Sequence, residues 1–110
     1  MAARFQAYEV ALEMVAALRP TVEVLARRDH SLADQVRRAS NSVVLNIAEG
    51  SRRMGKDRLH FYRIAAGSAA EVQAALEVAR AWRYLSPTAG VEVLLDRVLA
   101  MLWRLTHARE

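Results

Sequence analysis

The 110-residue chain suits a single domain, which we expect to span residues 1–110, and it is too short for two independent hydrophobic cores. Its composition is 54% hydrophobic and 25% charged with 4 Gly and 2 Pro, which excludes a disordered, collagen-like or loop-rich β protein. The net charge is +4, and no cysteine is present to form a disulfide or a thiolate metal site. The longest charge-free run, residues 39–48, is shorter than the roughly 18 residues of a membrane-spanning helix. We therefore expect a cytoplasmic protein.

Apolar residues recur at helical spacing through almost the whole chain, and no segment alternates with a period of two, which predicts an all-α protein. The first helix is predicted over about residues 5–28. Pro20 inside it predicts a kink or a break near Arg19, because proline removes a backbone hydrogen bond. The second helix is predicted to start with Ser31 as its N-cap, and Gly55 marks its end.

The third helix is predicted over about residues 57–84. Ser86 and Pro87 have the pattern of an N-cap followed by a first helical residue, and they open a fourth helix that ends near His107. The short connections predict an antiparallel, up-and-down four-helix bundle. The residues that the third helix is expected to bury are Phe61, Ile64, Ala65, Ser68, Val72, Leu76 and Ala79.

The fourth helix has more apolar surface than one core can cover. Its apolar positions span about 200° of the helical wheel, twice the arc needed to face a core, and the first helix is also broad. Such faces predict an exposed apolar patch and hence a homo-oligomer. A monomer with Trp103 lying on its surface is the alternative. The residues predicted to form the oligomer interface are Val10, Met14, Leu94 and Trp103.

Motifs for catalysis or cofactor binding are missing from the sequence. The glycines form no phosphate-binding loop, and His30, His60 and His107 lie too far apart for a metal-ligand motif. Serine, histidine and aspartate all occur, but nothing pairs them and no nucleophile elbow is present. We therefore expect no metal, no cofactor, no small-molecule substrate and no enzymatic activity.

Positive charge is concentrated in one third of the chain. Between Arg27 and Arg63, nine basic side chains face four acidic ones, and Lys56 is the single lysine of the sequence. Arginine's planar fork suits bidentate contact with phosphate, although a solvated surface is the alternative interpretation. The residues predicted to bind nucleic acid are Arg37, Arg38, Arg52, Arg53, Lys56 and Arg58.

The second helix carries Asn41, Ser42, Asn46 and Gly50 in its interior, where each is a worse helix former than alanine. One interpretation is a close helix contact at Gly50 and Gly67. Hydrogen bonds across this contact would come from Asn46, Glu49, Ser68 and Glu71, and Arg38 or Arg53 would neutralise the carboxylates. The other is a groove for a ligand or RNA. The polar edge so defined consists of Asn46, Glu49, Gly50, Gly67, Ser68 and Glu71.

These segments resemble a known family. The pattern Q-x-R-R-A begins at Gln35, N-I-A-E-G begins at Asn46, and G-S-x-x-E begins at Gly67. Together they closely resemble the 23S ribosomal RNA intervening-sequence proteins, which are named for genes inside insertions in bacterial 23S ribosomal RNA. The chain departs from that family around Pro20 and in its alanine-rich third helix. The positions that match the family pattern are Arg37, Arg38, Asn46, Glu49, Gly50, Arg53, Gly67, Ser68 and Glu71.

The resemblance implies a non-enzymatic bundle that assembles into a ring, typically a pentamer. It also implies a more distant relation to the accessory variability determinant proteins of diversity-generating retroelements, which bind a reverse transcriptase and nucleic acid. The leading hypothesis is thus an oligomeric scaffold that binds structured RNA or another polyanion. The alternative is a protein-interaction adaptor whose partner is a protein such as a reverse transcriptase.

Overall fold

The computed structural model describes residues 2–86 and 89–107, and in this part of the chain all regular structure is helical. Helix α1 spans Ala2–Arg28, α2 spans His30–Ser51, α3 spans Gly55–Ala81 and α4 spans Ala89–His107. The prediction of an all-α protein with four helices is confirmed. None of these helices combines the length and the apolar character needed to cross a membrane.

The helices form an antiparallel bundle. Helices α1 and α3 have 27 residues each, or about 40 Å, and the molecule measures 44 × 23 × 20 Å, so the helices lie along its long axis. The connections are too short to cross that length, and each helix therefore reverses the direction of the one before. Helix α1 packs against α2 and α4, and α3 packs against the same two.

Two chain turns lie at opposite ends of the bundle. We call one end the Lys56 end; it carries the start of α1, the end of α4 and the α2–α3 turn, by which we mean residues 52–58, the three linking residues and the first turn of α3. The opposite end, the Trp82 end, carries the α1–α2 turn at Asp29 and the start of the α3–α4 connection at residues 82–86.

Helix α1 runs without a break through Pro20, so the alternative of two helices divided near Arg19 is wrong. Proline leaves the carbonyl of Ala16 without its helical partner. Both Ala16 and Pro20 are exposed, which allows water to hydrate that carbonyl instead.

The start of α2 differs from the prediction by two residues. Asp29 is the N-cap, with its Oδ1 accepting a hydrogen bond from the Leu32 amide over 3.0 Å, and Ser31 lies inside the helix. A carboxylate is also favoured by the helix dipole at this end. Helix α2 ends at Ser51, and Gly55 is the first residue of α3, where its φ of +60° suits a residue without a side chain.

The core face of α3 matches the predicted one from Ala65 onward and differs from it in the first part of the helix. Ala65, Ser68, Val72, Leu76 and Ala79 are buried as expected, but Ile64 is exposed and Phe61 is only half-buried. Tyr62 is buried instead, at 1% exposure. Its ring packs where Gly50 of α2 offers no side chain.

Helix α4 ends at His107 as predicted, whereas the proposed role of Pro87 lies outside the described residues. Most of the wide apolar arc of α4 packs into the core. Leu94 and Leu99 at the margin of this arc are half-buried, and Val93 and Trp103 are exposed. The buried residues of α4 are Val91, Leu95, Val98, Met101 and Leu102.

Candidate nucleic-acid interface

The α2–α3 turn concentrates four of the six predicted nucleic-acid-binding residues. Arg52 and Arg53 follow the end of α2, and Lys56 and Arg58 lie in the first turn of α3. Arg52 is more open than Arg53, with 77% against 45% of the side chain exposed. Lys56 is also exposed, whereas Arg58 is half-buried.

Glu49 organises the arginines of this turn. Its Oε2 accepts hydrogen bonds from Nε and Nη2 of Arg53 over 2.9 and 2.6 Å, and its Oε1 accepts one from Arg52 Nη2 over 3.3 Å. The Arg53 guanidinium also lies over the ring of Phe61, 5.2 Å from its centre, a cation–π arrangement. Arg53 is thus held in place from two sides.

The same contacts change the acidity of Glu49. The hydrogen bond from Arg53, with a smaller contribution from Arg52, lowers the pKa of Glu49 below its ordinary value of 4.5, although partial burial acts in the opposite direction. Glu49 is therefore ionised at neutral pH and neutralises part of the charge of its two arginines.

The α2–α3 turn lies next to a close contact between α2 and α3. A Cβ atom at Gly50 would lie 2.7 and 2.8 Å from Cε1 and Cδ1 of Tyr62 and 3.3 Å from the Arg58 carbonyl oxygen. The predicted close helix approach at Gly50 is confirmed. The Nε of Arg58 is buried there with no hydrogen-bond partner among the described residues, so the stem of this arginine belongs to the packing of the turn.

Arg37 and Arg38 form a separate cluster. Arg38 Nε lies 3.2 Å and Arg37 Nη1 lies 3.7 Å from the two carboxylate oxygens of Asp34. They precede Arg52 by about four helical turns, or roughly 20 Å. The six predicted residues therefore form two clusters, each with a carboxylate shared by two arginines.

Of the polar edge, one pair joins α2 to α3. The hydroxyls of Ser42 and Ser68 lie 2.7 Å apart, and either can donate. Asn46 Nδ2 donates to the carbonyl and hydroxyl oxygens of Ser42 within α2, over 2.8 and 3.0 Å. Of the four side chains predicted to bond across the helices, Ser68 does so, whereas the prediction for Asn46 is wrong because it bonds within α2.

The rest of the predicted edge does not reach across the helices. Gly67 is exposed, and a Cβ there would meet no atom within 4 Å, so the close approach predicted at this glycine is wrong. Glu71 is exposed, and Glu49 bonds to arginines of its own chain segment. Neutralisation of Glu49 by Arg53 is confirmed, whereas Arg38 pairs with Asp34.

The exposed apolar surface also differs from the prediction. Val10 and Met14 are 4% and 0% exposed inside the core, so their placement on an exposed face is wrong: α1 turns this side toward its neighbouring helices. Trp103 is 60% exposed and stacks on His107, with ring centres 4.2 Å apart, while Leu94 is half-buried.

Phe5 and Leu45 were not among the predicted exposed apolar residues, and they are 65% and 66% exposed. With Tyr8 and Ala48 they line an apolar cleft of about 540 Å³ between α1 and α2, with Glu49 and Arg52 at its edge. The signal for Leu45 was its position outside the apolar stripe of α2 that includes Val43 and Ile47.

Within residues 2–86 and 89–107, no group of three or more histidine, aspartate or glutamate side chains is arranged to hold a metal ion. The arrangement at the turn offers cationic hydrogen-bond donors instead, and these suit an anionic ligand.

The fold and this turn define a small antiparallel four-helix bundle with a polar α2–α3 seam and a basic end. The family model for the 23S rRNA-intervening sequence protein matches residues 3–104, and the chain therefore belongs to that family.

Among solved structures, the chain is similar to a protein of unknown function from the S23 ribosomal protein family of Bacteroides thetaiotaomicron VPI-5482. The TM-score is 0.85 with 17% sequence identity, over 93% of this chain and 99% of that chain. This likeness supports the fold. No curated protein matches the chain.

Proposed function

We propose that this protein is a non-enzymatic scaffold that binds structured RNA through the Lys56 end of the bundle. The observation that carries the proposal is the α2–α3 turn, where four basic side chains lie within seven residues against the two acids Glu49 and Asp57. Phosphate groups are the ligands that such a set of arginines and a lysine suits best.

The start of α3 adds to this preference. Met54 is the N-cap of α3 and makes no side-chain hydrogen bond, so the first amides of the helix have no cap. Free amides and the positive end of the helix dipole both favour an anion near Lys56. Glu49 fixes Arg53 without fully neutralising the turn, which reduces the ordering required when a phosphate binds.

Self-association would multiply this surface. Phe5, Leu45 and Trp103 are large apolar side chains exposed at or near the Lys56 end, and burial of such groups favours association. We propose that the protein forms a homo-oligomer through them; the resemblance to its family implies a pentameric ring. Several copies of a weak RNA site would then act together with raised avidity.

Binding to structured RNA can be measured by fluorescence anisotropy with a labelled hairpin and nuclease-treated protein. If the four basic groups of the turn contact phosphates, affinity per site should fall by roughly 50- to 150-fold between about 50 and 200 mM salt. Arg52→Glu with Arg53→Glu should abolish binding at moderate salt and leave the assembly intact by light scattering.

The matched control is Arg37→Glu with Arg38→Glu, which makes the same change in net charge within α2, about four helical turns before Arg52. A smaller loss in this control would locate the RNA at the turn. Unchanged RNA affinity in the Arg52/Arg53 variant, with its helical content retained by circular dichroism, would refute the proposal.

The apolar cleft beside Arg52 favours a second candidate function, a protein-interaction adaptor. A partner helix with apolar residues at helical spacing would fit between α1 and α2 there. Leu45→Glu should then remove partner binding without altering RNA affinity. Loss of self-association in the same variant would instead assign the cleft to the oligomer.

A further inference from the structure

An exposed aromatic pair lies at the opposite end of the bundle from the basic turn. Trp82 is 67% exposed and stacks on Tyr84, with ring centres 6.3 Å apart and planes 18° from parallel. Tyr84 is half-buried and packs against the core, so it lies between the core and the Trp82 ring. Most of the indole surface is left open to solvent.

The backbone that presents this pair is unusual. Arg83 has a φ of +62°, and the Arg83 and Tyr84 amides donate to the carbonyls of Arg80 and Ala79, each over 2.9 Å. This is the Schellman turn that ends many helices, and glycine is the usual residue at the position of Arg83. An arginine there is strained by about 1 kcal/mol or more. A strained residue between two aromatic ones points to a function for its side chain.

Unpaired positive charge lies at the same end of the bundle as the aromatic pair. Arg27 and Arg28 end α1 at the same end of the bundle, and neither they nor Arg83 forms an ion pair with any acid among the described residues. Arg80, by contrast, is bound to Glu92 over 2.7 Å. This end therefore combines an open indole with three guanidinium groups that have no acidic partner in the described part of the chain.

We propose that the Trp82 end binds single-stranded RNA, with an unpaired base stacked on Trp82 and the neighbouring phosphates contacted by Arg83 and the α1 arginines. Stacking on an aromatic face with cationic groups beside it is how proteins hold unpaired bases. An apolar protein partner would leave the arginines without a counter-charge. The inference rests on the proposed function only in taking RNA as the partner; its residues and its end of the bundle are different.

The indole itself can report the contact. The chain has 2 tryptophans, so Trp103→Phe leaves Trp82 as the single tryptophan, which can be excited selectively over the 3 tyrosines. A 12-nucleotide oligouridine should quench this signal saturably at low salt. A blunt RNA duplex of the same length, whose base faces are covered, should quench it weakly. Trp82→Ala should weaken oligouridine binding by about 5- to 150-fold in anisotropy, the range found for one stacked base.

Two further variants in the Trp103→Phe background separate this inference from the function proposed for the Lys56 end. With Arg52→Glu and Arg53→Glu, quenching by oligouridine should persist even if hairpin binding is lost. With Arg83→Gly, which leaves the turn intact, quenching should require more RNA.

Equal quenching by single strand and duplex would overturn the stacking proposal in favour of charge alone. Absence of quenching with hairpin affinity intact would overturn it while the Lys56 end retained its function. Loss of both would refute the two proposals together.

Discussion

At the Lys56 end Glu49 holds Arg52 and Arg53, whereas at the Trp82 end Arg27, Arg28 and Arg83 have no acidic partner among the described residues. The first arrangement orders its cations on a close-packed helix contact. The second places them beside an open indole on a strained turn. Cations held by a carboxylate suit the regular phosphates of folded RNA, while cations without an acidic partner beside an aromatic face suit unpaired bases.

The largest contrast between the two ends should be in stability. Tyr62→Ala removes a ring that is 1% exposed and should lower the free energy of unfolding by about 3–5 kcal/mol. Trp82→Ala removes a mostly exposed ring and should lower it by less than about 1.5 kcal/mol, the upper value for one aromatic pair. Urea denaturation of both variants measures the difference. Similar losses would mean that the Trp82 end is part of the structural core.

The two helix-interior glycines should respond to alanine with opposite signs. Gly50→Ala places a methyl group against the Tyr62 ring, and the resulting overpacking of about 1–3 kcal/mol should outweigh the gain in helix propensity of about 1 kcal/mol.

Gly67→Ala is the matched control, because it meets open space and should stabilise the chain by up to about 1 kcal/mol. Thermal unfolding followed by circular dichroism measures both variants. Stabilisation by Gly50→Ala would contradict the close packing under the Lys56 end.

The different surroundings of these two glycines could not be predicted from the sequence. Both stand inside helices, and periodicity placed the helices correctly within a few residues. Only the rotation of α3 decides that Gly50 meets Tyr62 while Gly67 faces solvent. Phe61, Tyr62 and Ile64 are all bulky and nearly adjacent, so the apolar pattern of the alanine-rich α3 does not select among them.

Local contacts were more accessible to prediction than distant ones. The pairing of Glu49 with Arg53 follows from a spacing of four residues on a helix. The Ser42–Ser68 hydrogen bond joins residues 26 positions apart, and its existence depends on the packing of two helices. The aromatic pair at the Trp82 end depends on the left-handed φ of Arg83, for which a sequence without glycine gives no signal.

Arg83→Gly tests the strain at the Trp82 end. Glycine takes a positive φ without steric conflict, and this gain of about 1–2 kcal/mol exceeds the extra entropy it gives the unfolded chain, so the variant should be more stable by up to about 1 kcal/mol. If the arginine is retained for RNA, the same variant should bind oligouridine less tightly. The stability of Arg83→Gly should then rise while its affinity for oligouridine falls, as in other trade-offs between stability and function. Arg28→Gly, within an ordinary helix end, should destabilise instead.

Glu49→Gln should produce a smaller effect, at the Lys56 end. The substitution keeps the shape of the side chain and removes the charge that neutralises Arg52 and Arg53. RNA affinity should rise by up to about fivefold at neutral pH, which corresponds to the free energy of one exposed ion pair, about 1 kcal/mol at most. Anisotropy with the labelled hairpin measures this, and Glu71→Gln is the control, since it removes the same charge from an exposed site away from the turn. Equal gains in both variants would show that net charge alone controls binding.

The same substitution gives a pH dependence with a definite sign. Because Arg53 and Arg52 lower the pKa of Glu49 in the folded chain, the folded state releases the proton more readily than the unfolded state. The stability that this pair contributes is therefore complete above the ordinary pKa of 4.5 and is lost as the pH falls through the lower value of the folded state. The difference in stability between the wild type and Glu49→Gln should shrink on acidification through that range. A difference that stays constant from neutral pH down to pH 3 would mean that the arginines do not hold Glu49 in solution, and the ordered cations assigned to the Lys56 end would lose their physical basis.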